Sequence, residues 1–367
     1  MIEDWLERKQ VCICAGSGGV GKTTASAAIA LGMAARGRKV AVLTIDPARR
    51  LANALGLREL GNEERRVEVE LDGELWAMML DAKRTFDELI EWHAPDERTR
   101  DAVLSNRIYQ ELSNALAGSQ EYMAMEKLYE LATDRDYDLI VLDTPPSRNA
   151  LDFLDAPDRL TNFFEGRALR VFLAPTGLAA RVVGRGTSVV FSVLKRLTGV
   201  DLLEDLGVFF RALGGLIDGF RERAEGVKRL LADPETTFLI VTSPEREPVE
   251  EAIFFSGKLA ESKLALGGLV VNRVHAAGAG DTRSADEVRA ALQVPLGDKL
   301  AAKVARTWAE ERALAERDAA AIEHLCERTG QRDPVIVPQL DGDVHDVDGL
   351  VLVHRYLFGG DGAGRGD

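Results

Sequence analysis

The sequence predicts an α/β fold, a mostly parallel, doubly wound sheet that carries a helical insertion. Three observations predict it. Short apolar runs alternate with helical patterns along the chain, as strands joined by crossover helices do. A glycine-rich loop, Gly16 to Gly21, links the first apolar run to the first helical pattern. Between Asp152 and Asp233 the strand patterns cease, and Leu206, Phe209, Phe210, Leu213, Leu216, Ile217 and Phe220 recur at helical steps.

Val11 to Ala15 reads as the first strand, apolar throughout and so buried on both faces. An alanine-rich helix follows from about Lys22 to Arg36 and stops at Gly37, after which Val40 to Ile45 reads as a second strand. Further strands are expected at Val67 to Leu71, Trp76 to Leu80, Leu139 to Leu142, Thr237 to Thr242, Leu269 to Asn272 and Val335 to Val337. Because strands resume at Thr237, one domain over residues 1–358 with an insertion at 155–232 fits better than two domains in series. The glycine-rich end, residues 359–367, reads as a disordered tail.

Composition narrows the classes. With 367 residues, 46% of them hydrophobic and 29% charged, the chain can bury a sizeable core. A net charge of -14 argues against a nucleic-acid surface over the whole molecule, and no nucleic-acid partner is expected. The longest uncharged stretch, Thr23 to Ala35, has 13 residues where a membrane-spanning helix needs about 20. Met1 to Gln10 is charged, unlike a signal peptide, so the expected location is cytoplasmic. The three cysteines form no disulfide framework: Cys12 and Cys14 share one apolar run, Cys326 lies far downstream, and all three read as buried thiols. His93, His275, His324, His345 and His354 show no metal-ligand spacing.

The chemistry lies in Gly16-Ser17-Gly18-Gly19-Val20-Gly21-Lys22-Thr23, which fits the phosphate-loop pattern G-x-x-x-x-G-K-T between a strand and a helix. Its backbone amides surround phosphate oxygens, aided by the field of the helix N-terminus, and Thr24 continues the nucleotide-binding run. Lys22 supplies charge to the β and γ phosphates, and the Thr23 hydroxyl suits magnesium. Gly16, Gly18 and Gly21 also satisfy G-x-G-x-x-G, with Asp46 placed as a ribose-binding acid would be. The Lys22-Thr23 pair has no task in a dinucleotide loop. Leu139-Ile140-Val141-Leu142-Asp143 then decides for a triphosphate, being an apolar strand that delivers a carboxylate to the magnesium shell, a contact expected to run through water. The expected cofactors are ATP and Mg2+.

These blocks resemble the ATPase family of arsenite-pump subunits and tail-anchored-protein targeting factors. Asp46-Pro47-Ala48 resembles its first switch; Asp143-Thr144-Pro145-Pro146-Ser147, with Leu151 and Phe153-Leu154, resembles its second. Val270-Val271-Asn272 resembles the strand whose Asn meets adenine, and Pro338-Gln339-Leu340 followed by Val344 resembles its late adenine loop. The resemblance spans residues 10 to about 355 and is weakest through the insertion. It implies that Asp46 orients or activates the attacking water, which agrees with what a strand-end carboxylate beside a phosphate loop can do. It also implies a dimer with the nucleotide at its interface.

Two departures bear on mechanism. The family usually carries a second lysine after the first glycine of the loop, reaching to the partner's nucleotide, and this chain has Ser17 there. Either another cation acts across a homodimer, with Arg49 and Arg50 as candidates beside a plain solvated turn, or the partner is a paralogue bearing the lysine. Actinobacterial members are similar in having a short side chain at this position and working beside a related ATPase. Arg148-Asn149 also stand where the family favours Gly-His. The zinc-holding C-x-x-C pair of eukaryotic targeting factors is missing, so no structural zinc is expected.

Seven of the 13 phenylalanines, Phe163, Phe164, Phe172, Phe191, Phe209, Phe210 and Phe220, fall within 58 residues of the insertion, and Gly166 to Val200 holds six bases and no acid. Such a segment suits a hydrophobic or membrane-protein client, or peripheral contact with an anionic membrane; it equally suits the insertion's own core beneath a solvated basic face. Three functions stay open: a nucleotide-gated carrier of a hydrophobic client, the motor of a metalloid or anion efflux pump, and a weakly hydrolysing regulatory partner of a paralogous ATPase.

Overall fold

The computed structural model describes residues 1–46, 48–106, 109, 120–145, 216–275, 283–340, 342, 344 and 346–359. Pro47, Pro146, most of the 155–232 insertion with its basic segment, six of the seven clustered phenylalanines and residues 360–367 lie outside the described residues.

Strands β1 (Val11–Ala15), β2 (Lys39–Thr44), β3 (Arg65–Arg66), β4 (Glu74–Met79), β5 (Leu139–Asp143), β6 (Thr236–Thr242), β7 (Leu266–Val274) and β8 (Val335–Pro338) form one eight-stranded sheet. Its order is β3-β4-β2-β5-β1-β6-β7-β8. β1 lies parallel between β5 and β6, with Ile13 opposite Leu142 and Phe238. β2 with β5, β6 with β7 and β7 with β8 are also parallel, whereas β3 and β4 are antiparallel. All of β1, β5 and β6 is buried, which is why these strands read as unbroken apolar runs rather than alternating ones. Parallel strands place their C-terminal ends on one edge of the sheet, so the loops that follow β1, β2, β5 and β7 gather there.

Helices α1 (Ile2–Leu6), α2 (Lys22–Ala34) and α3 (Arg50–Ala54) precede β3, and α4 (Ala82–His93), α5 (Glu97–Leu104) and α6 (Gln120–Asp134) separate β4 from β5. The remaining helices among the described residues are α7 (Ile217–Ala232), α8 (Arg246–Glu261), α9 (Ala285–Leu296), α10 (Asp298–Thr329) and α11 (Val347–Phe358). Eleven of the 13 residues of α2 are buried. Alanine serves there twice, giving the best helix propensity and letting the helix approach the sheet closely.

One expected strand is absent. Val67 still donates to the Leu75 carbonyl of β4 at 2.8 Å, and the chain leaves the ladder after it, where the Val69 N–H donates to the Val67 carbonyl at 3.0 Å in a three-residue turn. Val67, held to β4, is buried, and Val69 and Leu71 bury in part beyond the ladder rather than continuing a strand.

The chain divides into two compact units. Met1–Met78, Asp136–Ala150 and Pro234–Asp367 make the unit that holds the sheet. Met79–Arg135 and Leu151–Asp233 make the other, in which the described residues form α4 to α7. Its core stacks Phe220 against Phe86 at 5.8 Å and His93 at 6.0 Å, with Tyr109 on the far side of Phe86. Phe220, the clustered phenylalanine that is described, is thus fully buried. The buried Glu126 carboxylate accepts from Arg223, whose guanidinium also lies over the Tyr129 ring. Among the described residues no helix is long and apolar enough to cross a membrane.

Candidate functional site

β1 ends under the loop Gly16 to Gly21, and α2 starts at Lys22. Two glycines are required by geometry. A Cβ on Gly16 would lie 1.9 Å from the Val241 carbonyl oxygen of β6, and Gly21, at φ +95°, would put one 2.3 Å from the Asn272 amide nitrogen. Val20 and Ser17 are buried, while Gly18 and Gly19 are exposed at the loop's crown. The Lys22 ammonium folds back to donate to the carbonyls of Gly16, at 2.9 Å, and Ser17, at 2.7 Å. Burial lowers its pKa below the ordinary lysine value, and the charges of Asp143, Asp46 and Glu251 act in the opposite sense.

Behind the loop, β5 delivers Asp143. Its Oδ2 accepts from the hydroxyls of Thr23, at 2.7 Å, and Thr44, at 2.8 Å. Its Oδ1 is buried with no hydrogen-bond partner among the described residues. Burial pushes the Asp143 carboxyl up to about 6, against those two hydrogen bonds and the charge of Lys22. A buried carboxylate oxygen left free beside a threonine hydroxyl is the donor set a hard cation takes, directly or through water, so these residues fit magnesium. Thr144 is held to the sheet, its hydroxyl donating to the Cys14 carbonyl at 2.9 Å, and Pro145 follows it partly exposed.

At the end of β2, the Asp46 N–H donates to the Thr44 hydroxyl, and Asp46 Oδ1 accepts from the Ala48 N–H at 2.9 Å. Its other oxygen lies 3.5 Å from the Arg50 guanidinium. On the opposite side, Asn272 of β7 donates to the Val20 carbonyl at 2.9 Å, and its Oδ1 accepts from the Arg273 N–H at 3.0 Å. Arg273 takes a left-handed φ of +61°, where the β7–β8 register shifts. Sequence reading did not anticipate that Asn272 ties the phosphate loop to the sheet.

A cleft of about 420 Å3 gathers these parts within the sheet-bearing unit. Gly19, Gly21, Lys22, Thr23, Thr24, Asp46, Thr144, Asn272, Pro338 and Leu340 line it, all of them residues singled out from sequence. Gly16, Ser17, Gly18, Val20, Ala48, Pro145 and the buried Asp143 do not line it, Asp143 reaching it through its hydrogen bond with the lining Thr23. Asn53, Ala54, Arg273 and Val353 line it without having been foreseen. A signal for Asn53 existed, since it stands one helical turn after Arg50; Val353 had none beyond the apolar period of α11. Glu251 was also missed: it accepts a short hydrogen bond from the Ser17 hydroxyl across 234 residues of chain.

A sequence model of the anion-transporting ATPases matches residues 9–300, most of the chain. The chain belongs to the anion-transporting ATPase family. It is similar to the ATPase ASNA1 homolog of Cryptosporidium parvum, 26% identical over 264 residues that cover 71% of this chain and 63% of that protein. It is similar also to ATPase GET3 of Malassezia globosa, 32% identical over 43% of this chain and 46% of that protein. ATPase GET3A of Arabidopsis thaliana is 27% identical over 71% of this chain and 65% of that protein. The matched part of the chain therefore spans less than two thirds of these three relatives. The matched span for the anion-transporting ATPases includes the loop, Asp46, Asp143 and Asn272, and ends before Pro338 and Leu340.

Proposed function

We propose that this chain is a magnesium-dependent ATP hydrolase that works as a dimer and uses hydrolysis to switch a helical region, residues 155–232, that binds a hydrophobic or membrane-protein client. The observation that carries the hydrolase is the cleft, in which residues from separate loops and strand ends meet around Lys22. Family membership supports the same reading.

In this reading the loop amides and Lys22 hold the triphosphate, Lys22 exchanging its two loop carbonyls for phosphate oxygens. Thr23 and Asp143 would hold magnesium, Asp143 through water. Bound magnesium would neutralise charge on the phosphates. Asp46 accepts a hydrogen bond from the attacking water and so orients it, with Oδ1 fixed by Ala48 and Oδ2 turned to the cleft cation Arg50. Asn272, Pro338 and Leu340 take the adenine end of the cleft.

Dimerisation and the client rest on resemblance to tail-anchored-protein targeting factors, and the dimer is a homodimer or a heterodimer with a lysine-bearing paralogue. A second reading, the motor of an anion pump, is favoured by the family's description as anion-transporting. The test is phosphate release with and without magnesium. Wild type turns over slowly and only with the metal, and Asp46→Asn keeps ATP affinity while losing at least about 100-fold in rate. An Asp46→Asn variant as fast as wild type defeats the catalytic assignment. Capture of membrane proteins on ATP-loaded Asp46→Asn, and not on Lys22→Ala, distinguishes the carrier from the pump motor, which arsenite stimulates.

A further inference from the structure

Helices α9 and α10 form a hairpin whose turn differs in charge from the rest of the chain. Ser284 caps α9 through a hydrogen-bonded box with Glu287, and Gly297, at φ +74°, joins the two helices. The Arg312 guanidinium donates to the Arg283 carbonyl at 2.9 Å, so the chain segments on either side of Gly297 run antiparallel for roughly 20 Å at 1.5 Å per residue. The far half of α10 is anchored: buried Asp318 accepts from the His275 N–H at the end of β7, and Leu325 is buried. α9 packs chiefly on α10, which leaves the turn away from that anchor.

At the turn, Val294, Leu296, Leu300 and Val304 are exposed, Val294 almost completely at 94%. Leu300 and Val304 stand one turn apart on α10, and Ala301 and Ala305 beside them are buried. Lys299, Lys303 and Arg306 are exposed along the other flank of that stripe, Arg306 lying 3.6 Å from the Glu310 carboxylate. Residues 288–309 carry four bases, with Arg289 the fourth, against the single acid Asp298, so they hold +3 and the rest of the chain -17. Glu310 and Glu311 close the stripe.

We propose that this hairpin turn docks on an anionic lipid bilayer. The four apolar side chains enter the boundary between headgroups and acyl chains, and Lys299, Lys303 and Arg306 meet lipid phosphates. Charge complementarity favours a bilayer over a second copy of the chain. A positive patch bounded by -17 is drawn to a negative plane only through that patch, whereas a copy would set like charges of the two turns against each other. The surface is distinct from the nucleotide cleft, which none of these residues lines.

The experiment is sedimentation of the full chain with vesicles of phosphatidylcholine alone, or with one third phosphatidylglycerol. Wild type binds the anionic vesicles at least about tenfold more strongly, and rising salt releases it. Lys299→Glu with Lys303→Glu lowers that binding about 25-fold or more, at about fivefold per positive charge removed, and separately Val294→Asp with Leu296→Asp, which takes two apolar side chains out of the bilayer boundary, lowers it about tenfold or more. Circular dichroism and ATP affinity stay as in wild type for both, which separates this result from any failure of the ATPase reading. The proposal is overturned if wild type ignores the vesicles, if both variants bind them as wild type does, or if the variants lose a lipid-independent self-association instead.

Discussion

Replacing Asn272 by alanine removes a tie between β7 and the phosphate loop, and the structure sets the size of the effect. The Asn272 amide donates to the carbonyl of buried Val20 at 2.9 Å, so its loss leaves that oxygen unpaired, at a cost of about 1–3 kcal/mol. The Arg273 N–H also loses its acceptor, but Arg273 is exposed and water replaces the bond at little cost. A total near 2 kcal/mol lowers the melting temperature by roughly 3–5 °C. A loop no longer held at Val20 binds ATP at least about tenfold more weakly, since a tenfold change needs only about 1.4 kcal/mol. Asn272→Asp is worse than alanine, because it turns a carboxylate oxygen toward the Val20 carbonyl. Scanning calorimetry without nucleotide and titration calorimetry with ATP and magnesium measure both effects. An Asn272→Ala variant with wild-type melting and affinity, or an Asn272→Asp variant that behaves better than alanine, refutes the tie.

Gly16→Ala drives a Cβ to 1.9 Å from a backbone oxygen of β6, so neither side can yield cheaply; we expect a loss of at least about 3 kcal/mol in a urea melt, and wild-type stability would contradict it. Arg223→Ala leaves Glu126 buried without its counter-ion and costs about 3–5 kcal/mol in thermal melts. Burial already raises the Glu126 pKa, so its contribution to stability is greatest below the ordinary glutamate value and is lost as pH rises through the raised one. Removing Arg223 raises that pKa further; the defect is therefore larger at pH 8 than at pH 5, and a pH-independent defect would count against this account. Sedimentation velocity with ATP and magnesium is expected to show dimers, and a monomer at every concentration and nucleotide state would remove the dimer from the proposal.

The parts legible in the sequence are those with a single physical cause. β1, β5 and β6 are buried on both faces, so each reads as an apolar run with clear ends. Lys22, Thr23 and Asp143 belong to patterns whose spacing follows from phosphate and metal chemistry. Residues 67–71 misled because Val67, Val69 and Leu71 alternate as a strand would, while the Val69 to Val67 hydrogen bond turns the chain off the ladder just after Val67 has paired with Leu75. The grouping of Met79–Arg135 with Leu151–Asp233 was hidden for a different reason. The contact of Phe86 with Phe220 joins segments far apart in sequence, and helical periodicity shows which face is buried but not its partner. The pairing of Ser17 with Glu251 is of the same kind.

Titration of wild type and Lys22→Ala with ATP and magnesium by calorimetry tests the central claim most directly. Lys22 is the cation that both lines the cleft and closes on the loop carbonyls, so its removal takes away the charge that meets the β and γ phosphates. The account predicts one ATP per chain for wild type, dependent on magnesium, and no measurable heat of binding for Lys22→Ala. Equal ATP affinity in the two proteins, or tighter binding of a dinucleotide than of ATP, would contradict it.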